Sequence, residues 1–125
     1  MALMFLNGGG MSGGPLHPYL LGTPMLRPAR TAPQYRFYAV GGAFPGLTPG
    51  SPGCSVVGEL YDVPLEILRD SLMPQEPPEL ELGLIELDDG TAALATVLRR
   101  DYRRALELID ISTIGDWRAY QAGQA

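Results

Sequence analysis

Apolar residues occur in short runs separated by stretches rich in glycine and proline, and most runs have the length of a β-strand. A continuous apolar run at residues 2–7 predicts a buried strand, and residues 35–40 and 54–63 predict two more. Residues 23–32 include Pro24 and Pro28, which predicts an edge or bulged strand. Residues 41–53 hold five glycines and three prolines, so they are predicted to form a loop.

Leucine and glutamate alternate over residues 79–82, and Asp89 and Gly90 supply a tight turn a few residues later. This arrangement predicts a β-hairpin. The alternation slips at Leu84 and Ile85, which predicts a bulge or sharp twist near Gly83.

Helical spacing is confined to short stretches. Residues 15–21 begin with a proline and stop at Gly22, and residues 65–72 follow Pro64 with leucines on one face. Residues 101–109, with Asp101 as the cap, and residues 116–122 predict two further helices. Many chain reversals with few helices predict an α+β domain with a curled sheet or a small barrel.

Length and composition fit one globular domain spanning residues 1–125. The chain has 125 residues, of which 46% are apolar. Cys54 is the single cysteine, so no disulfide framework or thiolate metal cluster is expected, and no metal or cofactor is assigned. Apolar runs fall well short of the roughly 20 residues of a membrane span, so we expect a cytoplasmic protein without a membrane partner.

Charge is distributed unevenly along the chain. Residues 1–58 carry three arginines and no acid, a net of +3, whereas the remainder carries six arginines and fourteen acids, a net of −8. The total of −5 argues against nucleic acid as a partner. The sequence contains no lysine, which excludes Schiff-base chemistry, a phosphate-binding P-loop and a nucleophile activated by lysine.

The segment LNGGGMSGGPLH, residues 6–17, is the most unusual part of the sequence. Gly8, Gly10 and Gly13 follow a predicted strand with the spacing of a dinucleotide-binding loop. That function requires a full helix after the loop and an acid about 20 residues further on, yet residues 27–32 contain no carboxylate. Two interpretations remain open: a loop that binds an anion through backbone N–H groups, or a plain turn.

Five segments, taken in order, resemble the C-terminal domain of allophanate hydrolases, which is itself similar to γ-glutamylcyclotransferase-like (AIG2-like) proteins. They are LMFLNGGGMSGGPLHPYL, RTAPQYRFYAVGGAFPGL, GCSVVGELYDVPLEIL, LELGLIELDDG and DISTIGDWRAY. The resemblance implies a small curled mixed β-barrel flanked by short helices. It also implies a cavity in which the loop after the first strand holds a substrate carboxylate through N–H groups, while a glutamate acts as general acid and base.

Carried onto this sequence, the resemblance places a set of substrate-binding residues in the loop: Asn7, Gly8, Gly9, Gly10, Met11 and Ser12. Cyclotransferases have Tyr-Gly-Ser or Tyr-Gly-Thr where this chain has Asn7, Gly8 and Gly9, and allophanate-type domains often have histidine at the position of Gly10. Glu79 is the nearest match to the catalytic glutamate, with Glu76 and Glu81 as rivals.

Other candidates come from the chemistry of single side chains. His17 is the only histidine and titrates near neutrality, so it is a second candidate for proton transfer. Arg30 and Tyr38 are candidates for hydrogen bonds to a carboxylate, and Glu81 for a place in the cavity. A structural role is the alternative for each: a solvated carboxylate, a packed histidine, or an arginine at a strand edge.

The resemblance implies a protein that binds a small carboxylate or ureido-carboxylate, with lyase- or transferase-like proton transfer by Glu79 or His17. Whether it is an enzyme stays open at this stage. One alternative is a non-catalytic assembly or binding subunit for an amidase partner, with the choice between monomer and homodimer left open. Another is a γ-glutamylcyclotransferase that acts on γ-glutamyl amines.

Overall fold

The computed structural model describes residues 2–101 and 107–124. Strands in this part of the chain form one sheet of five strands, in the order β2-β5-β1-β7-β6, and one of three strands, in the order β4-β3-β8. The strands are β1 (Ala2–Leu6), β2 (Met25–Arg30), β3 (Tyr35–Val40), β4 (Phe44–Pro49), β5 (Val57–Val63), β6 (Leu80–Glu86), β7 (Ala92–Leu98) and β8 (Leu108–Asp110).

Strand β1 lies at the centre of the larger sheet, as its continuous apolar sequence requires. It pairs antiparallel with β5 and parallel with β7, so the sheet is mixed. Met4 and Phe5 are completely buried, which is expected for a strand covered on both faces. The glycine-rich loop therefore leaves the sheet from its central, buried strand.

The α+β class and the mixed sheet with short helices are confirmed, but the strands do not close into the barrel that the sequence suggested. Among the described residues, the larger sheet keeps two edges, β2 and β6. Pro28 lies within β2 and has no N–H group, so it suits an edge strand. The predicted edge strand at residues 23–32 is thus confirmed, with a register shift between Met25 and Arg27.

The prediction of a loop over residues 41–53 is wrong for its middle part, which forms β4. This strand pairs with β3 along its whole length, from Tyr35 opposite Pro49 to Val40 opposite Phe44. The two central residues of the connecting turn, Gly41 and Gly42, have φ values of +56° and +72°, which only glycine adopts readily. β4 is an edge strand, so its prolines remove no hydrogen bond from the centre of a sheet.

The hairpin of β6 and β7 is confirmed, and its turn lies at Asp89 and Gly90. The predicted bulge near Gly83 is wrong, because the pairing runs without interruption from Leu80 opposite Leu98 to Glu86 opposite Ala92. The slip in the sequence pattern has another cause: Leu84 is 74% exposed, whereas Ile85 on the opposite face is buried.

The helices are short, as predicted, and flank the sheets. Residues 17–20 form a 3₁₀ helix, and residues 65–75 form a single α-helical turn (α1, Leu65–Ile67) that continues as π- and then 3₁₀-helix. The last helix, α2 (Trp117–Gly123), begins at Asp116, whose Oδ1 accepts a hydrogen bond of 3.2 Å from the N–H of Ala119.

Two predicted boundaries differ from the structure. The strand expected over residues 54–63 begins at Val57, with Cys54 in an isolated bridge to Tyr35. Residues 102–106 of the helix predicted over 101–109 lie outside the described residues. The end of that helix is wrong, because residues 108–110 pair with β3 as β8. In the part of the chain that the structure describes, no helix is long and apolar enough to cross a membrane.

Candidate functional site

The glycine-rich loop follows β1 directly and turns sharply. The N–H of Met11 donates to the carbonyl of Gly8 at 3.1 Å, which makes Gly9 and Gly10 the central residues of a tight turn. The N–H of Leu16 donates to the carbonyl of Gly9 at 2.9 Å and ties the loop to the segment that follows. Within the described residues, the N–H groups of Gly9 and Gly10 have no hydrogen-bond acceptor. Both N–H groups therefore keep an unused capacity to donate a hydrogen bond.

These two glycines line a cavity of about 240 Å³. The walls come from the glycine-rich loop, the start of β4, the end of the helical segment 65–75, the hairpin β6–β7 and helix α2. The lining residues are Leu6, Asn7, Gly8, Gly9, Gly10, Pro15, Leu16, Ala43, Phe44, Pro45, Gln75, Glu76, Pro77, Leu80, Thr96, Trp117 and Gln121.

Glu76 is the one ionisable side chain among these lining residues. It follows the last helical turn of the segment 65–75 and is half-buried. Burial raises the pKa of Glu76 to about 7, because the charged form loses its hydration. A carboxyl group with this pKa can donate and accept a proton at neutral pH.

Asn7 is the second polar group of the cavity that has an unusual environment. The residue is 3% exposed, and its Nδ2 has no hydrogen-bond partner among the described residues. A buried amide N–H without an acceptor costs about 1–3 kcal/mol. Such groups are rare in folded proteins and require an explanation.

A buried carboxylate supports the loop from its other side. Glu59, on β5, is 5% exposed, and its Oε1 accepts hydrogen bonds from the N–H of Ser12 at 2.7 Å, the hydroxyl of Tyr61 at 2.9 Å and the hydroxyl of Ser12 at 3.1 Å. Arg118, on α2, donates to Oε2 at 3.3 Å. Burial alone would raise the pKa of Glu59, but these hydrogen bonds and the arginine hold it below its usual value.

Several residues that the sequence predicted as binding groups have contacts within the fold and lie outside the lining of this cavity. Ser12 directs both its N–H and its hydroxyl to Glu59, and Met11 is part of the hydrophobic core. Nδ1 of His17 lies 3.0 Å from the carbonyl oxygen of Gly10, and the His17 ring packs 6.0 Å from that of Tyr61. His17 is not among the residues that line the cavity.

The remaining candidates lie outside the cavity lining. Arg30 is exposed on the edge strand β2, and Tyr38 packs in a separate small cluster with Val40. Glu81 pairs with Arg99 at 3.3 Å, while Glu79 accepts a hydrogen bond from the N–H of Arg99 through its backbone carbonyl. Of the predicted set, Asn7, Gly8, Gly9 and Gly10 therefore line one cavity, and Glu76 lines the same cavity.

Two acids at the candidate site were not singled out by the sequence. Glu76 was only a rival of Glu79, because its proximity to the loop depends on how the irregular segment 65–75 ends. Glu59 could have been found from the sequence, because it is the first acid in the chain and interrupts a predicted buried strand. A charged residue in such a strand requires partners, and here they are Ser12, Tyr61 and Arg118.

Within the described residues, no group of three or more histidine, cysteine, aspartate or glutamate side chains is arranged to hold a metal ion.

Solved structures with the same fold include a small protein and parts of much larger ones. A uropathogenic Escherichia coli-specific protein is 28% identical, with a TM-score of 0.86 over 97% of this chain and 95% of that one. The allophanate hydrolase of Kluyveromyces lactis is 25% identical, with a TM-score of 0.84 over 95% of this chain, but only 20% of the hydrolase is covered. An AIG2-like protein from Mus musculus, 23% identical, has a TM-score of 0.57 over 78% of this chain and 76% of its own.

No curated protein sequence matches the chain. The model of the family described as "Allophanate hydrolase C-terminal domain" matches residues 2–122, almost the full length. This match agrees with the order of the segments and with the position of the glycine-rich loop after β1. The chain belongs to the allophanate hydrolase C-terminal domain family.

Proposed function

We propose that the cavity binds a small carboxylate or ureido-carboxylate and that Glu76 transfers a proton to or from it. The observation that carries this proposal is the presence, in one cavity, of two unpaired backbone N–H groups and a carboxyl group whose pKa is about 7. The N–H groups of Gly9 and Gly10 suit a carboxylate oxygen, since adjacent backbone N–H groups in a tight turn form a small anion site.

The reaction best suited to this site is a lyase- or transferase-like step with proton transfer. N–H donors fixed by the loop stabilise negative charge on an oxygen without having to reorganise. Glu76, partly protonated at neutral pH, donates its proton to the departing nitrogen as the C–N bond of the ligand breaks, and the resulting carboxylate regains a proton from the nucleophile whose new bond to that carbon replaces the broken one. Amide hydrolysis that depends on a lysine base lies outside the chemistry of this chain, which contains no lysine.

A titration followed by NMR tests the proposal. Isotope-labelled protein is titrated with N-carbamoylglycine, 5-oxoproline and malonate, and the amide resonances of Gly9 and Gly10 are followed. We expect at least one of these carboxylates to shift both resonances in a saturable manner. Glu76→Leu should weaken that binding, whereas the matched control Glu79→Leu should not. Saturable shifts confined to other residues, or none with any of the three compounds, would reject the proposal.

A non-catalytic subunit that docks on an amidase is the second candidate, and one surface favours it. Leu82 and Leu84 on the edge strand β6 are 41% and 74% exposed, and Leu65, which is also exposed, lines one groove together with Leu82. An apolar sheet edge is a common site of pairing with another chain. Relatives of this chain occur as parts of larger proteins, including the urea amidolyase of Kluyveromyces lactis, of which 8% is covered.

The docking surface is tested with a double variant. Leu82→Lys/Leu84→Lys keeps the fold, because both side chains are already exposed, but it adds two charges to the apolar edge. Light scattering after size-exclusion chromatography, with and without a purified amidase that lacks this domain, should show a complex that the double variant does not form. A complex that survives both charges would locate the interface elsewhere.

A further inference from the structure

The cavity differs from a typical site for highly charged anions in one respect: none of its lining residues is basic. Its polar side chains are the uncharged Asn7, Gln75, Thr96 and Gln121, together with Glu76. Arg118, on the same helix as Gln121, is occupied by Glu59. A ligand with two negative charges would therefore bring one charge into the cavity without compensation, which is costly in a partly dry site.

Asn7 supplies a hydrogen-bond donor that matches an uncharged, carbonyl-bearing end of a ligand. Asn7 is among the residues that line the cavity, two residues before Gly9, and its buried Nδ2 has no hydrogen-bond partner among the described residues. The terminal torsion of an asparagine is broad, so the amide can turn its N–H groups towards a ligand while the backbone stays in place. A carbonyl oxygen in the ligand would satisfy this donor and remove the cost of leaving it unpaired.

We propose that Asn7 determines specificity in this cavity by reading the amide or ureido carbonyl of a mono-anionic ligand whose carboxylate sits on Gly9 and Gly10. This inference rests on the proposed function and narrows it: of the small carboxylates, the site selects those with one charge and an uncharged amide or ureido end. A dicarboxylate such as malonate binds poorly because its second charge is not compensated. An aliphatic monocarboxylate of similar size also binds poorly, because it leaves the Asn7 donor unpaired.

Three probes and one variant test the inference by calorimetry at neutral pH. N-carbamoylglycine has one charge and a ureido group, butyrate has one charge and an apolar end, and malonate has two charges. We expect the wild-type protein to bind N-carbamoylglycine about tenfold or more tightly than either of the others. Asn7→Leu, which has a similar volume, should bind N-carbamoylglycine and butyrate equally well.

Stability serves as the independent readout for this variant. Replacing an unpaired buried amide by leucine removes a desolvation cost, so the thermal midpoint of Asn7→Leu should equal or exceed that of the wild type. A loss of ligand preference together with retained stability separates ligand recognition from a structural role. Should the variant fail to fold, the side-chain amide resonances of Asn7 in the wild type must shift with N-carbamoylglycine and not with butyrate.

Each result has a distinct meaning. If Asn7→Leu keeps the preference for N-carbamoylglycine, or if the wild type does not distinguish it from butyrate, Asn7 is not the specificity determinant. Those outcomes leave the carboxylate site of the proposed function intact, since the Gly9 and Gly10 resonances still shift. If no carboxylate shifts those resonances, the proposed function fails and this inference fails with it.

Discussion

Under the proposed function, Glu76 should couple ligand binding to pH. Its pKa of about 7 means that the neutral form, which can donate a hydrogen bond to a bound carboxylate, predominates below pH 7 and disappears above it. Carboxylate affinity should therefore fall by up to about tenfold per pH unit above pH 7. Calorimetric titrations between pH 6 and pH 9 measure this slope. Glu76→Gln should flatten the profile and Glu79→Gln should leave it unchanged; a slope retained in Glu76→Gln would assign it to another group.

The same pKa affects stability in a defined direction. In the unfolded chain Glu76 has its usual, lower pKa, so the folded state holds the proton more tightly. Stability linked to this group is fully present below the unfolded pKa and is lost as the pH rises towards 7. Urea unfolding of wild type and Glu76→Gln at pH 4.5 and pH 8 should show a larger decrease for the wild type. Equal decreases would mean that Glu76 titrates normally.

Glu59 has a structural role, and the stability that it contributes depends on pH in the opposite direction. Glu59→Ala leaves the N–H of Ser12 and the hydroxyl of Tyr61 without their acceptor, so it should lower the free energy of unfolding by roughly 2–3 kcal/mol. Because the pKa of Glu59 is lowered, its contribution exists at neutral pH and is lost on acidification. Urea unfolding measures the change. The exposed Glu86→Ala is the control and should cost less than about 0.5 kcal/mol.

The role of a residue could be predicted from the sequence only where its position in the fold was already clear. The glycine-rich loop could be placed because it follows an apolar strand, and it does line the cavity. The choice among Glu76, Glu79 and Glu81 could not be made, since these three acids lie within six residues of one another. Their different environments arise from packing of the segment 65–75 against the loop, which local sequence patterns do not encode.

Among the elements, those with local signals were predicted and those that depend on distant pairing were not. Asp89 and Gly90 form the turn of the β6–β7 hairpin, and Asp116 caps the start of α2; both signals are local in the sequence. Strand β4 lacks any such signal, because its glycines and prolines are typical of loops. It becomes a strand only through pairing with β3, an interaction in which tertiary context overrides local propensity.

The glycine-rich loop as an element depends on close backbone approach at Gly14. A Cβ atom there would lie 2.2 Å from the carbonyl oxygen of Gly9 and 3.0 Å from that of Met11. Gly14→Ala should therefore reshape the loop, cost about 2 kcal/mol or more in stability, and abolish carboxylate binding. Gly123→Ala is the matched control, because no atom lies within 4 Å of its Cβ position. Thermal unfolding and the NMR titration measure both effects; unchanged binding in Gly14→Ala would show that the loop tolerates another shape.

On the scale of the whole molecule, the two ends of the described chain meet at the cavity. Asn7, Gly9 and Gly10 come from the loop after the first strand, whereas Trp117 and Gln121 come from the last helix. Arg118 of that helix also joins the Glu59 cluster. The site is therefore completed only when α2 packs against the loop, so folding and binding should be lost together when the helix is removed.

Removal of α2 tests whether folding and the cavity depend on this helix. Ending the chain after Gly115 removes Trp117 and Tyr120, which are buried, and their loss should cost roughly 4–5 kcal/mol, a large share of the stability of a domain this size. It also removes one wall of the cavity and the arginine partner of Glu59, Arg118. We expect the truncated protein to be largely unfolded by circular dichroism and to bind no carboxylate, even where N-carbamoylglycine is saturating for the full chain. Ending the chain after Gly123 keeps α2 and should change neither property. A chain ending after Gly115 that still folded and bound the carboxylate would show that the loop and Glu76 form the site without the last helix.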